Sequence, residues 1–120
     1  MTDENNPAIL QDVKIVDLTS VVFGPLATQM LGDLGADVIK VEGPEGDLLR
    51  QVQPSRNKLM GAAFLGANRN KRSVVLDLKT QTGLDQLRKL LIDADVMISS
   101  IRTAALARLS LDPETLRQEN

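Results

Sequence analysis

An apolar, β-branched run, a helical stripe and a second such run follow one another near the start of this chain, and that succession restricts the fold more than any other feature. Residues 13–18 read Val-Lys-Ile-Val-Asp-Leu, the composition of a short buried strand. Residues 19–23 lead to Gly24-Pro25, a helix start. Proline suits the first helical position because its missing N–H has no intrahelical partner there. Leu26, Ala27, Met30, Leu31 and Leu34 then recur at helical spacing, a stripe expected to face a sheet. Gly35 stands where a left-handed C-terminal cap belongs, and residues 37–41 supply the second strand. This is a βαβ unit, and its crossover implies parallel pairing.

The pattern continues with interruptions. Residues 42–58 hold Gly43-Pro44-Glu45-Gly46-Asp47 and Pro54-Ser55, which read as a long surface loop, with a short helix expected over 59–67. A strand is expected at 73–78 (Ser-Val-Val-Leu-Asp-Leu). Thr80 or Thr82 can cap a helix whose Leu84, Leu87, Leu90 and Leu91 fall near one face. Residues 95–99 form a fourth strand candidate and 103–109 a short helix. Asp112-Pro113 begins another helix that runs to the end. The fold class expected is therefore α/β, an open parallel sheet with flanking helices. The sequence ends in a helix where the pattern would deliver a further strand, which reads as part of a larger domain. Residues 1–9 are expected to be an extended tail and 10–120 the folded unit.

Charge is unevenly spread although the formal net charge is only -2, a balance that argues against nucleic acid as a partner. Arg56, Lys58, Arg69, Lys71, Arg72 and Lys79 lie in a span whose only acid is Asp77. Such a field either meets phosphate groups or is simply a solvated surface. Within it, Asn68-Arg69-Asn70-Lys71-Arg72-Ser73 combines turn-satisfying amides with a guanidinium fork and a mobile ammonium. Arg72 is thus a phosphate candidate. The segment precedes a strand, however, whereas ligands of open sheets gather beyond strand C-termini, so caps and salt bridges are an equal reading. Arg102, just after the fourth strand, and the later Arg108 are better placed.

The first strand–helix junction is the natural ligand position of this fold class, because helix amides point at it. Here it holds one glycine, Gly24, either for close approach to a ligand or merely for the turn. A dinucleotide fingerprint needs three, so Glu42, where nicotinamide enzymes place a ribose-binding acid, also reads as a loop anchor or a solvent-facing residue. The chain has no histidine and no cysteine, which removes the usual neutral-pH base and thiolate chemistry and leaves carboxylates, lysines and hydroxyls. No HExxH, DxDxDG or GxxxxGK pattern occurs, and no metal ligand set is assigned. No apolar run approaches a membrane span and no secretory signal is read at the start, so a cytoplasmic location is the default expectation.

Four stretches together resemble a known family: VKIVDLTSVVFGPLATQMLGDLGADVIKVEGPEGD at 13–47, FLGANRNKRSVVLDLKTQTG at 64–83, LLIDADVMIS at 90–99 and LARLSLDPETLRQEN at 106–120. They are similar to the N-terminal portion of class III CoA-transferases, a family that also contains formyl-CoA transferases, carnitine CoA-transferases and 2-methylacyl-CoA racemases. The resemblance implies a Rossmann-like large domain and a full-length homodimer whose chains interlock. It implies acyl-CoA and a carboxylic acid acceptor as substrates, with no tightly bound cofactor.

In the transferases an aspartate attacks the thioester to give a mixed anhydride, CoA thiolate converts this to an enzyme thioester, and the acceptor acid then takes the CoA. That aspartate lies beyond the matched region, so the resemblance assigns no catalytic residue here and implies that the chain alone is inactive. Residue by residue, Val21, Val22, Phe23 and Gly24 fall in the loop that approaches CoA. Val22 stands where one transferase branch has glutamine. Glu42 matches a common acid, and Gly43 replaces an arginine that helps to hold the nucleotide end. Ser99-Ser100-Ile101-Arg102-Thr103-Ala104 replaces an asparagine- and glycine-containing turn but keeps Arg102, and Arg108 matches an arginine associated with CoA phosphate. The rival readings are a 2-methylacyl-CoA racemase, an inactive remnant of the family and, remotely, a nicotinamide dehydrogenase domain.

Overall fold

The structure, a computed structural model, describes residues 8–120. The tail expected over 1–9 therefore falls largely outside the described residues. Four strands, β1 (Lys14–Leu18), β2 (Asp37–Glu42), β3 (Lys71–Val75) and β4 (Val96–Ser99), form one sheet in the order β3-β2-β1-β4, and every pairing is parallel. The helices are α1 (Phe23–Asp33), α2 (Ala62–Ala67), α3 (Gln81–Ile92), α4 (Thr103–Arg108) and α5 (Pro113–Glu119). This is the expected Rossmann-like arrangement, with strand order reversing between β1 and β4.

The sheet has two unlike faces, because successive strand residues point to opposite sides. Val16, Leu18 and Val41 join Leu76, Leu87, Leu91, Leu106 and Leu111 in the main apolar core. The leucine spacing of α3 aims Leu87 and Leu91 into it, and Thr80 caps that helix by accepting from the Gly83 amide at 3.0 Å. The alternate residues Asp17, Lys40 and Glu42 are buried on the other face, where only Ile15, Ala36 and Val38 make a small apolar cluster. Lys71 joins this face from β3.

That polar face explains the main departure from expectation. α1 buries Pro25, Thr28, Gln29 and Gly32, whereas Met30 and Leu34 are exposed and only Leu31 of the apolar stripe packs against the small cluster. The helix lies over charged side chains and comes so close that a Cβ at Gly32 would sit 2.9 Å from the Asn70 carbonyl oxygen. Small and polar residues must face inward there. α1 also begins at Phe23, so Pro25 takes the third position of the first turn, where its missing N–H again has no intrahelical partner. Its end is as expected: Gly35 has φ of 101°, its amide donates to Gly32 O, and the Ala36 amide donates to Leu31 O.

β3 starts two residues earlier than expected and stops at Val75. Lys71 can enter a strand because its ammonium is satisfied underneath α1, and Arg72 because its fork lies outside on Asp37. The long loop contains a 3-10 turn, Leu48–Arg50, which the residue pattern did not suggest. Its cap is Asp47, whose carboxylate accepts from the Leu49 amide. No helix among the described residues is long and apolar enough to cross a membrane.

Candidate functional site

Over the C-terminal ends of the strands opens a cleft of about 510 Å³. Thr19 and Ser20 border it after β1, Gly43–Asp47 after β2, Asp77 and Lys79 after β3, and Ile101 after β4. It thus spans the point where strand order reverses, the place where diverging loops leave room for a ligand in such sheets. A separate hollow of about 550 Å³ runs along β4 beside Leu91, Val96 and Leu116, away from the strand C-termini.

Beneath the cleft the charged face is tied into two buried networks. In the first, Asp17 accepts from the Thr19 amide (2.8 Å), from the hydroxyls of Thr19 and Thr28, and from Lys71 Nζ (3.1 Å). Burial raises the Asp17 pKa, but these donors outweigh it and hold the carboxyl below its usual range. Lys71 also donates to Pro25 O and Asn68 Oδ1, and burial pulls its ammonium downward against the opposing attraction of Asp17. In the second network Lys40 and Asp47, both almost fully buried, pair at 2.9 Å.

Glu42 sits beside them. Its two oxygens accept from Arg50 Nε and Nη2 (both 2.7 Å), Ser73 Oγ (2.6 Å) and the Asp47 amide (2.9 Å). Burial would raise its pKa, yet the guanidinium, hydroxyl and amide bring it down to about 2. All four lone-pair positions of the carboxylate are engaged, and Arg50 in turn lies 3.8 Å over the Phe64 ring. Glu42 therefore anchors the loop that follows β2. Every buried side-chain nitrogen and oxygen among the described residues has a hydrogen-bond partner.

The other sequence candidates are spread out. Val22 and Phe23 are exposed, Phe23 at 89%, just beyond the cleft-lining Ser20. Gly24 packs inward: a Cβ there would meet the Thr19 Cβ at 2.3 Å, so this glycine permits close contact between α1 and the β1 end. Arg102 is exposed beside Ile101 at the start of α4, and Arg108 is exposed in the last turn of that helix. Arg72 lies towards the N-terminal ends of the strands, paired with Asp37 at 2.6 Å, and does not join the cleft. Asn68 and Lys71 of the same basic segment are structural, and Arg69 pairs with Asp33. Residue reasoning missed Lys40 and Asp47 as parts of the site, and included Lys79 only in the general basic field. Lys40 did leave a signal: a charge alternating with Ile39 and Val41 in an otherwise apolar strand implies a polar sheet face.

The fold and cleft define a class: a Rossmann-like parallel α/β domain, with its crevice at the strand-order reversal. The model of CoA-transferase family III matches residues 10–120, and the chain belongs to that family. It is 44% identical to the succinate–glutarate CoA-transferase of Agrobacterium fabrum, an alignment covering 100% of this chain and 32% of that protein. It is 39% identical to the human succinyl-CoA:glutarate CoA-transferase, covering 96% of this chain and 26% of the relative. A solved CAIB/BAIF family protein from Brucella suis superposes with a TM-score of 0.89 at 39% identity, covering 96% of this chain and 32% of the other. The chain thus spans about a third or less of the length of these proteins.

Proposed function

We propose that this chain forms one wall of the acyl-CoA site of an enzyme that transfers CoA between carboxylic acids. Family membership over residues 10–120 is the observation that carries this reading. The cleft at the strand C-termini supports it, since the loops that follow all four strands converge there, where open parallel sheets take their ligands. The relatives named above point to dicarboxylic acids as acyl donor and acceptor.

In the full reaction an aspartate carboxylate attacks the thioester carbonyl, expelling CoA thiolate and leaving a mixed anhydride. The thiolate attacks the aspartyl carbonyl and releases the first acid. The acceptor carboxylate then attacks the enzyme thioester, and returning thiolate takes the new acyl group, restoring the aspartate. The buried acids beneath the cleft do not suit that role by their surroundings. Asp17, Glu42 and Asp47 are buried and held by several donors, so none presents a free lone pair to a carbonyl carbon. We assign the nucleophile to polypeptide beyond the matched region. Arg102, exposed just before α4, and Arg108, exposed in its last turn, are the proposed phosphate contacts.

Calorimetry tests the binding role: CoA should bind the chain, and NAD should not. Clear affinity for NAD with none for CoA would overturn the reading. Incubation with radiolabelled succinyl-CoA and glutarate should give no exchange above a buffer blank, and turnover would overturn the assignment of the nucleophile elsewhere.

A further inference from the structure

The turn between β1 and α1 is gripped from three separate elements. Lys40 Nζ, from β2, donates to the Thr19 carbonyl at 2.9 Å. The Ser20 amide donates to Ser100 Oγ, just past β4, at 3.2 Å. The Val21 amide donates to both carboxylate oxygens of Asp47, each at 3.3 Å. Lys40 and Asp47 are themselves a buried pair, and the Leu49 amide fixes the carboxylate further at 3.0 Å. One ion pair therefore holds both a carbonyl and an amide of the same short turn.

Val21 belongs to neither apolar cluster of the fold. Its φ is 72°, a region that a β-branched residue rarely enters, and the residue is 39% exposed. No core packing fixes this backbone, whereas its amide is held by the Asp47 carboxylate. The result is a reversal of the chain directly after Ser20, at the cleft wall, which throws Val22 and Phe23 outward.

We infer that Asp47, held in place by Lys40, is a positioning residue that forces the left-handed turn at Val21 and so sets the shape of the cleft wall that receives acyl-CoA. The last clause rests on the acyl-CoA reading; the forcing of the turn does not. Strain that a polar contact sustains next to a ligand cleft is the usual signature of a preorganised wall.

Two measurements on the chain separate the two parts. Amide hydrogen exchange followed by NMR should show the Val21 N–H protected, with protection lost by about a hundredfold in Asp47→Asn. Calorimetry with CoA should show affinity reduced about tenfold in Asp47→Asn, but by roughly threefold or less when the same change is made in a Val21→Gly background, because glycine adopts positive φ unforced. An unprotected Val21 amide in the unaltered chain, or an equal loss of affinity in both backgrounds, overturns the inference. If the unaltered chain binds no CoA, the acyl-CoA reading fails while exchange still decides for or against the forced turn. Should Asp47→Asn not fold, Val21→Gly alone decides: relief of strain should raise the melting temperature by a few degrees, and a fall overturns the inference.

Discussion

Glu42 shows how much a single strand-end residue governs in this molecule. Its carboxylate joins β2, β3 and the 3-10 turn through Ser73, Arg50 and the Asp47 amide. Its pKa falls from the usual 4.5 to about 2, so the unfolded chain takes up this proton first as pH drops. The stability it contributes is fully present above about pH 4.5 and is lost on the way down to about pH 2. Urea titrations across that window should show a steep loss in the native sequence and a shallower one in Glu42→Gln, which has no carboxylate to protonate. Equal slopes would mean that the Arg50 contact does not hold the ionised form.

At the scale of elements, α1 illustrates what residue pattern can and cannot disclose. Its existence, its capped end at Gly35 and its place in a βαβ unit were legible from spacing and from one glycine. Its orientation was not. A helical stripe reports which residues share a side, and it does not report that the sheet beneath carries Asp17, Lys40 and Lys71. The bounds of β3 were missed for a related reason: two adjacent basic residues look like loop until their partners, Asp17 and Asp37, come from strands far away in the sequence. The cleft position was legible from topology, whereas the buried pair below it depended on contacts between β2 and the loop after it. A paired test follows from the orientation of α1. Thr28→Val removes a hydroxyl donor to Asp17 and should cost about 1–3 kcal/mol in chemical denaturation. Met30→Gln, on the exposed side, should stay within about 0.5 kcal/mol. The reverse ranking would place the apolar stripe against the sheet after all.

For the whole molecule, the main core lies between the sheet and α3, α4 and α5, with Leu87 and Leu111 fully buried in it. Leu87→Ala should lower global stability by about 2–5 kcal/mol, read as a shifted denaturation midpoint with unchanged slope. A changed slope would indicate that the two sides of the sheet had ceased to unfold together.

The unlike faces of the sheet make the molecule answer to two different solvents. Cooling weakens the leucine layer, whose cohesion comes from water excluded around hydrocarbon. Acid spares that layer and attacks the opposite one, where protonation of Glu42 and Asp17 silences the carboxylates on which the Arg50 and Lys71 contacts depend. The turn at the cleft wall is fastened to this polar layer through Asp47, whose amide donates to Glu42. Acid strong enough to reach Glu42, towards about pH 2, therefore slackens the loop that borders the cleft while leaving the hydrocarbon contacts of the leucine side untouched.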